Sequence, residues 1–163
     1  MIFLTVGTHE PFERLIKAVD TWVGAHKPSK PFFGQTSGKG YQPENFDFID
    51  RLSPAEYLEH FDKADLIISH AGMGTILTAL NKAKPIVVMP RRGHLSETRN
   101  DHQYTTVKHL GDRPGVYVAQ DETVFDDVLT RALSNIEDTA QSCVPDVAPT
   151  AFTNALRTFI TGT

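Results

Sequence analysis

Ser69-His70-Ala71-Gly72-Met73-Gly74-Thr75 sets a histidine and two glycines between a short apolar run and an amphipathic segment. Gly72 and Gly74 let a backbone approach a ligand closely. A helix starting there would aim unpaired N–H groups and a positive dipole end at that ligand. The natural guest is an anion, most simply a phosphate. A tight strand-to-helix turn with no ligand fits the glycine spacing equally well. Neither the Gly-x-Gly-x-x-Gly dinucleotide fingerprint nor a phosphate loop ending in Gly-Lys-Ser/Thr is present.

A second polar set follows the next apolar run, from Arg91 to Gln103. Arg91, Arg92 and Arg99 cluster positive charge in an acidic chain, which favours anion binding over a merely solvated charge run. Asn100, Asp101, His102 and Gln103 then place four hydrogen-bonding side chains in succession near a helix start. Sugar hydroxyls are recognised by such sets of donors and acceptors. Phosphate at the glycine turn and sugar beside it describe a nucleotide-sugar site.

Histidines need separate weighing. A strand-end histidine such as His70 is often a structural hydrogen bonder. His9 stands in the equivalent place after the first strand, and two histidines on one sheet edge favour a role in the site. His70, His94, Glu97, Asp101 and His102 are the metal-ligating alternative. The chain lacks His-Glu-x-x-His and any His pair four residues apart, so no metal is expected. No Gly-x-Ser-x-Gly elbow supports hydrolase chemistry.

The elements that must position these residues are legible from periodicity. Leu66 to Ile68 and Ile86 to Met89 read as strands buried on both faces of a parallel sheet. Ile76, Leu77, Leu80 and Ala83 form a helical stripe between them, completing a βαβ unit. Ligands of open parallel sheets bind beyond the carboxyl ends of the strands. Upstream, Ile2 to Val6 is a strand ending at Gly7-Thr8-His9-Glu10-Pro11. Phe12, Leu15, Ile16, Val19, Trp22 and Val23 make a helix closed by Gly24 and Lys27-Pro28. Phe32 and Phe33 mark a second strand, and Thr36 to Gly40 reads as a flexible loop. Phe46 to Ile49 is a third strand, and Ser53-Pro54-Ala55-Glu56 is a capping box. Tyr57, Leu58, Phe61 and Ala64 are the stripe of that helix. Gly115 to Ala119 is the last strand, followed by a helix on Val124, Val128, Leu129, Leu133 and Ile136. The expected fold is a doubly wound α/β parallel sheet of about six strands over residues 1–136, with a linker over 137–149. Over 150–163, Phe152, Ala155, Leu156, Phe159 and Ile160 share one face of a last helix. That face packs on this sheet or docks another chain.

Whole-chain properties bound the function. The 163 residues suffice for one domain with a real core, and 40% hydrophobic and 22% charged residues are ordinary globular values. A formal charge of −4 argues against nucleic acid as a partner. The one cysteine, Cys143, excludes an internal disulfide and is compatible with a reducing cytoplasm. The opening apolar run is too short for a signal peptide, and no run approaches the roughly 20 residues of a membrane span.

With these residues in place, Ser69 to Thr75, Lys84-Pro85, Pro90-Arg91-Arg92 and Asn100-Asp101-His102-Gln103 resemble the donor-binding, C-terminal half of a GT-B glycosyltransferase, in glycosyltransferase family 28. Within it the chain is similar to small donor-binding subunits of two-component transferases, of the exopolysaccharide and dolichol-pathway N-acetylglucosaminyltransferase types. Phe3 to Phe12 and Arg14-Leu15-Ile16 match the exopolysaccharide type. The resemblance covers about residues 1 to 120 and fits the Rossmann-like half of such an enzyme.

It implies inverting, metal-independent transfer of a sugar from a UDP-sugar to a lipid-linked sugar acceptor, without a cofactor. Gly72, Met73, Gly74 and Thr75 would cradle the diphosphate, with the Gly7-Thr8-His9 loop nearby and His70 in the substrate-binding set. Asn100, Asp101, His102 and Gln103 would hold the sugar, with Arg92 and Glu97 completing the substrate-binding set. His9 is the candidate catalytic residue, facing the cleft and able to donate to a phosphate oxygen. Thr78 stands where family members often carry an acid on the ribose hydroxyls. One such domain is half of a GT-B enzyme, so a membrane-associated acceptor-binding subunit is the implied partner. The chain would then be cytoplasmic and peripheral at the inner membrane. The alternatives are a non-catalytic nucleotide-sugar-binding module and a stand-alone nucleotide-sugar epimerase working as a homodimer.

Overall fold

The computed structural model describes residues 1–7, 10–99, 101–110 and 113–136, with Thr150, Asn154, Arg157 and Thr158 beyond them. The expected linker and most of the expected last helix lie outside the described residues. In chain order the elements are β1 (Ile2–Thr5), α1 (Glu13–His26), β2 (Phe32–Gln35), β3 (Asp47–Ile49), α2 (Pro54–Lys63) and β4 (Leu66–His70). They continue with α3 (Met73–Asn81), β5 (Ile86–Met89), a 3-10 turn (Gly93–Leu95), α4 (His102–Leu110), β6 (Val116–Val118) and α5 (Phe125–Ser134). The six strands pair in the order β3-β2-β1-β4-β5-β6, all parallel.

Strand alternation sorts the apolar side chains into two layers. Ile2, Leu4, Leu66, Ile68, Val87 and Met89 face Phe12, Leu15, Ile16, Val19, Trp22, Phe125 and Leu129, so α1 and α5 cover one side. Phe3, Ile67, Ile86 and Val88 face Phe61, Ile76, Leu80 and Val107, so α2, α3 and α4 cover the other. Both faces of β1, β4 and β5 are therefore dry, which explains their unbroken apolar runs.

Several local expectations change. Gly24 does not end α1. The helix runs to His26, and Lys27 closes it in the left-handed conformation with φ 45°. Leu58 and Leu77 are exposed rather than on the buried stripes of α2 and α3; Phe61 and the trio Ile76, Ala79 and Leu80 are the buried positions. The stretch after β2 is not a loose loop at its start. Thr36 and Ser37 are buried, and their N–H groups donate to the carbonyls of Ile49 and Asp50, continuing the β2–β3 ladder.

The β2–β3 connection has no helix of its own, so α1 anchors it. Buried Asp20 accepts hydrogen bonds from the N–H groups of Glu44 (3.1 Å) and Asn45 (2.7 Å) and from the Tyr41 hydroxyl (2.6 Å). Burial pushes the Asp20 carboxyl upward, but these donors outweigh it and hold the group below its ordinary value. The same bond and burial drive Tyr41 up to about 12.

Candidate functional site

The strand order reverses between β1 and β4. From β1 the chain steps outward to β2 and β3; from β4 it steps the other way to β5 and β6. Loops leaving β1 and β4 therefore part at their carboxyl ends and open a crevice, the usual ligand position of such sheets. A cleft of about 500 Å³ lies there, lined by Val6, Gly7, Glu10, His70, Arg91, Glu97, Thr98, His102 and Gln103. A larger groove of about 680 Å³ runs between α1 and α5, past Arg14, Trp22, Leu95 and Phe125. It has no strand carboxyl ends at its floor, so geometry rather than volume decides for the smaller cleft.

Beside the cleft, α3 begins without a side-chain cap from its N-cap residue. Its N-cap is Gly72, which has no side chain to spend, and no side-chain cap bond is made. The first-turn N–H groups of Met73, Gly74 and Thr75 are left without intrahelical acceptors, as at any helix start. A Cβ placed on Gly74 meets no atom within 4 Å. The helix thus presents bare N–H groups and its positive dipole end to open space, an arrangement that suits an anion.

His70 fills the seam between the two diverging loops. A Cβ on Gly7 would lie 3.2 Å from its Cε1, and one on Gly72 would fall on its Nε2. Gly72 therefore makes room for an imidazole, not only for a ligand. Gly7 is required twice over, since its φ of 82° also excludes ordinary side chains. Ser69 Oγ lies 3.3 Å from His70 Nδ1. Burial first, and then the Arg91 charge, lower the His70 pKa from 6.5 to about 4, against the pull of a backbone bond to Thr5. His70 is a neutral ring at pH 7, without charge, and its single N–H is engaged by the Thr5 backbone.

The two arginines after β5 have different fates. Arg91 is buried and donates to four backbone carbonyls, those of Val6 (2.8 Å), Glu10 (2.7 Å), Pro11 (2.7 Å) and Glu97 (3.0 Å). Arg92 joins Asp121 (3.2 Å) on the loop before α5 and does not line the cleft. Glu97 is also committed: Arg14 grips its carboxylate through two bonds of 2.9–3.0 Å, and the Arg92 N–H adds a third at 2.9 Å. Neither Arg92 nor Glu97 has its charge free for a substrate.

Gln103, buried in the first turn of α4, accepts the Arg91 N–H through Oε1 (3.1 Å), which turns its NH₂ into the available group. Asp101 accepts the Gly93 N–H at 2.7 Å and so closes the 3-10 turn. His102 lines the cleft and also a second groove of about 420 Å³ between α3 and α4, where Met73 lies. Thr75 is hydrogen-bonded to the Tyr57 hydroxyl. Thr78 donates to the Gly74 carbonyl (2.8 Å), keeping only acceptor capacity. The structure thus gathers Gly7, His70, Glu97, His102 and Gln103 on one cleft beside Gly72 and Gly74. Thr8, His9 and Asn100 lie outside the described residues. Glu10 and Thr98 line the cleft without having been singled out. Glu10 was within reach of sequence reasoning, because it shares a strand-end loop with Gly7. Among the described residues no group of three or more metal-ligating side chains forms, and no helix is long and apolar enough to cross a membrane.

Residues 1–154 match the glycosyltransferase family 28 C-terminal domain, and the chain belongs to that family. It is 44% identical over 118 residues to the human "UDP-N-acetylglucosamine transferase subunit ALG13", covering 67% of this chain and 10% of that protein. The crystal structure of Acinetobacter baumannii MurG superposes with a TM-score of 0.65 at 18% identity, over 99% of this chain and 49% of MurG. The solution structure of ALG13 matches at TM-score 0.50 and 20% identity, over 95% of this chain and 93% of that one. The fold is the Rossmann-like half of a GT-B glycosyltransferase, and the chain spans a small part of its human relative's length.

Proposed function

We propose that this chain is the donor-binding, catalytic subunit of an inverting glycosyltransferase. It moves a sugar from a UDP-sugar to a lipid-linked acceptor in polysaccharide or glycolipid biosynthesis. The observation that carries the reading is the uncapped N-terminus of α3 beside a cleft bordered by His102 and Gln103. The diphosphate sits on the N–H groups of Met73, Gly74 and Thr75, beside the neutral ring of His70. The sugar extends toward Gln103 and His102, with Asn100 and Asp101 on the same segment.

As the bond to the sugar breaks, negative charge grows on the UDP leaving group. Fixed N–H dipoles stabilise that charge without rearrangement and without a metal or cofactor. Arg92 is paired with Asp121 outside the cleft lining, and this reading gives it no part in the step. His9 is the candidate catalytic residue, by position in the loop after β1. On this reading a second, membrane-associated subunit binds the acceptor and brings this chain to the cytoplasmic face. The word subunit in the human relative's name supports this division. Residues 150–163 are the proposed docking element for that subunit, joined through the linker 137–149.

Calorimetric titration of the chain with UDP and then UDP-sugars, alone and with its coexpressed partner, tests the proposal. UDP binding with a preference for one sugar, and turnover only in the complex, is the expected outcome. Turnover by the chain alone would point to a self-sufficient enzyme. Absence of UDP binding in both preparations would overturn the nucleotide-sugar reading.

A further inference from the structure

Arg91 carries an arrangement that stability alone does not call for. Its residue is 4% exposed, and its two terminal nitrogens together tie loops that leave different strands. Nη2 donates to the carbonyls of Val6 and Glu10, which flank the loop after β1 on both sides. Nη1 donates to Pro11 of the same loop and to Glu97 of the loop after β5. The Phe12 ring lies 4.7 Å beneath the guanidinium. The Arg91 backbone N–H fixes the Gln103 amide at the start of α4. Among the described residues, every hydrogen bond of this buried guanidinium goes to a backbone carbonyl. The nearby Glu97 and Glu10 charges favour the cation, but burial outweighs them, so it is a costly way to fill space. A planar fork with four terminal N–H groups is the one side chain able to meet four carbonyls at once.

We propose that Arg91 is a positioning residue of the donor site. It holds the two cleft-lining loops and Gln103 in one fixed relation, and so sets how much the sugar adds to nucleotide affinity. The inference rests on the donor-site reading above. The Arg91 side chain and N–H bond to the two loops and to Gln103, and none of these bonds reaches residues 72–75. The nucleotide and sugar ends of the cleft are thereby separable.

The test compares UDP with UDP-N-acetylglucosamine and UDP-glucose on the wild-type chain and on Arg91→Lys, by calorimetry with and without the coexpressed partner. Lysine keeps the charge and the stem, but its ammonium has three donors in tetrahedral array and cannot serve four carbonyls. UDP affinity is expected to stay within about twofold, while the affinity gained from the better sugar falls about tenfold or more. Should Arg91→Lys fail to fold, Phe12→Leu removes the ring beneath the guanidinium and leaves its carbonyl bonds. It is expected to reduce the sugar's gain about threefold. Parallel loss of UDP and UDP-sugar affinity, or no change in their ratio, would overturn the positioning role. Failure of the wild-type chain to bind UDP in either preparation would overturn the donor-site reading instead.

Discussion

Helices α2 and α3 begin in opposite ways. At α2 the Ser53 hydroxyl accepts the Glu56 N–H, the Glu56 carboxylate accepts the Ser53 N–H, and Pro54 occupies the first turn. At α3 the N-cap is a glycine, which makes no side-chain cap bond. A missing cap costs a helix about 1 kcal/mol. The capped start belongs to the helix whose N-terminus lies away from the crevice, and the bare start belongs to the one beside it. On the donor-site reading, the N–H groups at the start of α3 are kept for something outside the chain.

Gly74→Val strikes the bare end directly. Its side chain would enter open space, so the melting temperature should change little. UDP affinity should fall about 100-fold or more, as calorimetry would read. Unchanged affinity would remove α3 from the site.

His70 tests the neighbouring seam through pH. Its folded pKa of about 4 lies below the ordinary 6.5, so the unfolded chain takes up a proton first as pH falls. The stability associated with the neutral ring is complete above about pH 6.5 and is lost as pH falls toward about 4. Between pH 7.5 and 5, denaturant melts of the wild type should lose about 2 kcal/mol that His70→Asn does not lose. Equal pH dependence in both would mean that the ring is not kept neutral.

Smaller changes sharpen the contrast. Gly72→Ala puts a methyl group against His70 Nε2 and should cost about 1–2 kcal/mol. The loss should shrink in the His70→Ala background, as a double-mutant cycle would read. Ser53→Ala should remove about 1 kcal/mol from α2 and leave UDP affinity untouched. If it weakened UDP binding, the two helix starts would not be independent.

The α2 cap and the β4–α3–β5 unit were legible in the sequence because they depend on neighbours three or four residues apart. The central placement of β1 beside β4, which creates the crevice, was not, since pairing of distant strands leaves no local mark. Arg91 and Arg92 make the same point at the scale of one residue. They are identical in type and adjacent, and a cluster of positive charge is all that a linear reading offers. In the structure one meets four carbonyls in the interior while the other meets Asp121 at the surface. Glu97 was equally opaque, because Arg14, its partner, lies 83 residues away. Leu58 and Leu77 misled because apolar side chains on short helices need not all face the core.

Arg14, Arg91 and Arg92 place three guanidinium groups at the carboxyl edge of the sheet, and each is already bound within the protein. Arg14 and Arg92 are offset by carboxylates, so the edge is less positive toward a ligand than its composition suggests. On the donor-site reading, peptide dipoles carry a larger share of the attraction. Dipoles at contact range are little affected by dissolved ions, whereas exposed charges are screened over about 10 Å at 0.1 M salt. A nucleotide held in this way would remain bound as ionic strength rises, and would gain little from long-range electrostatic steering on its way in.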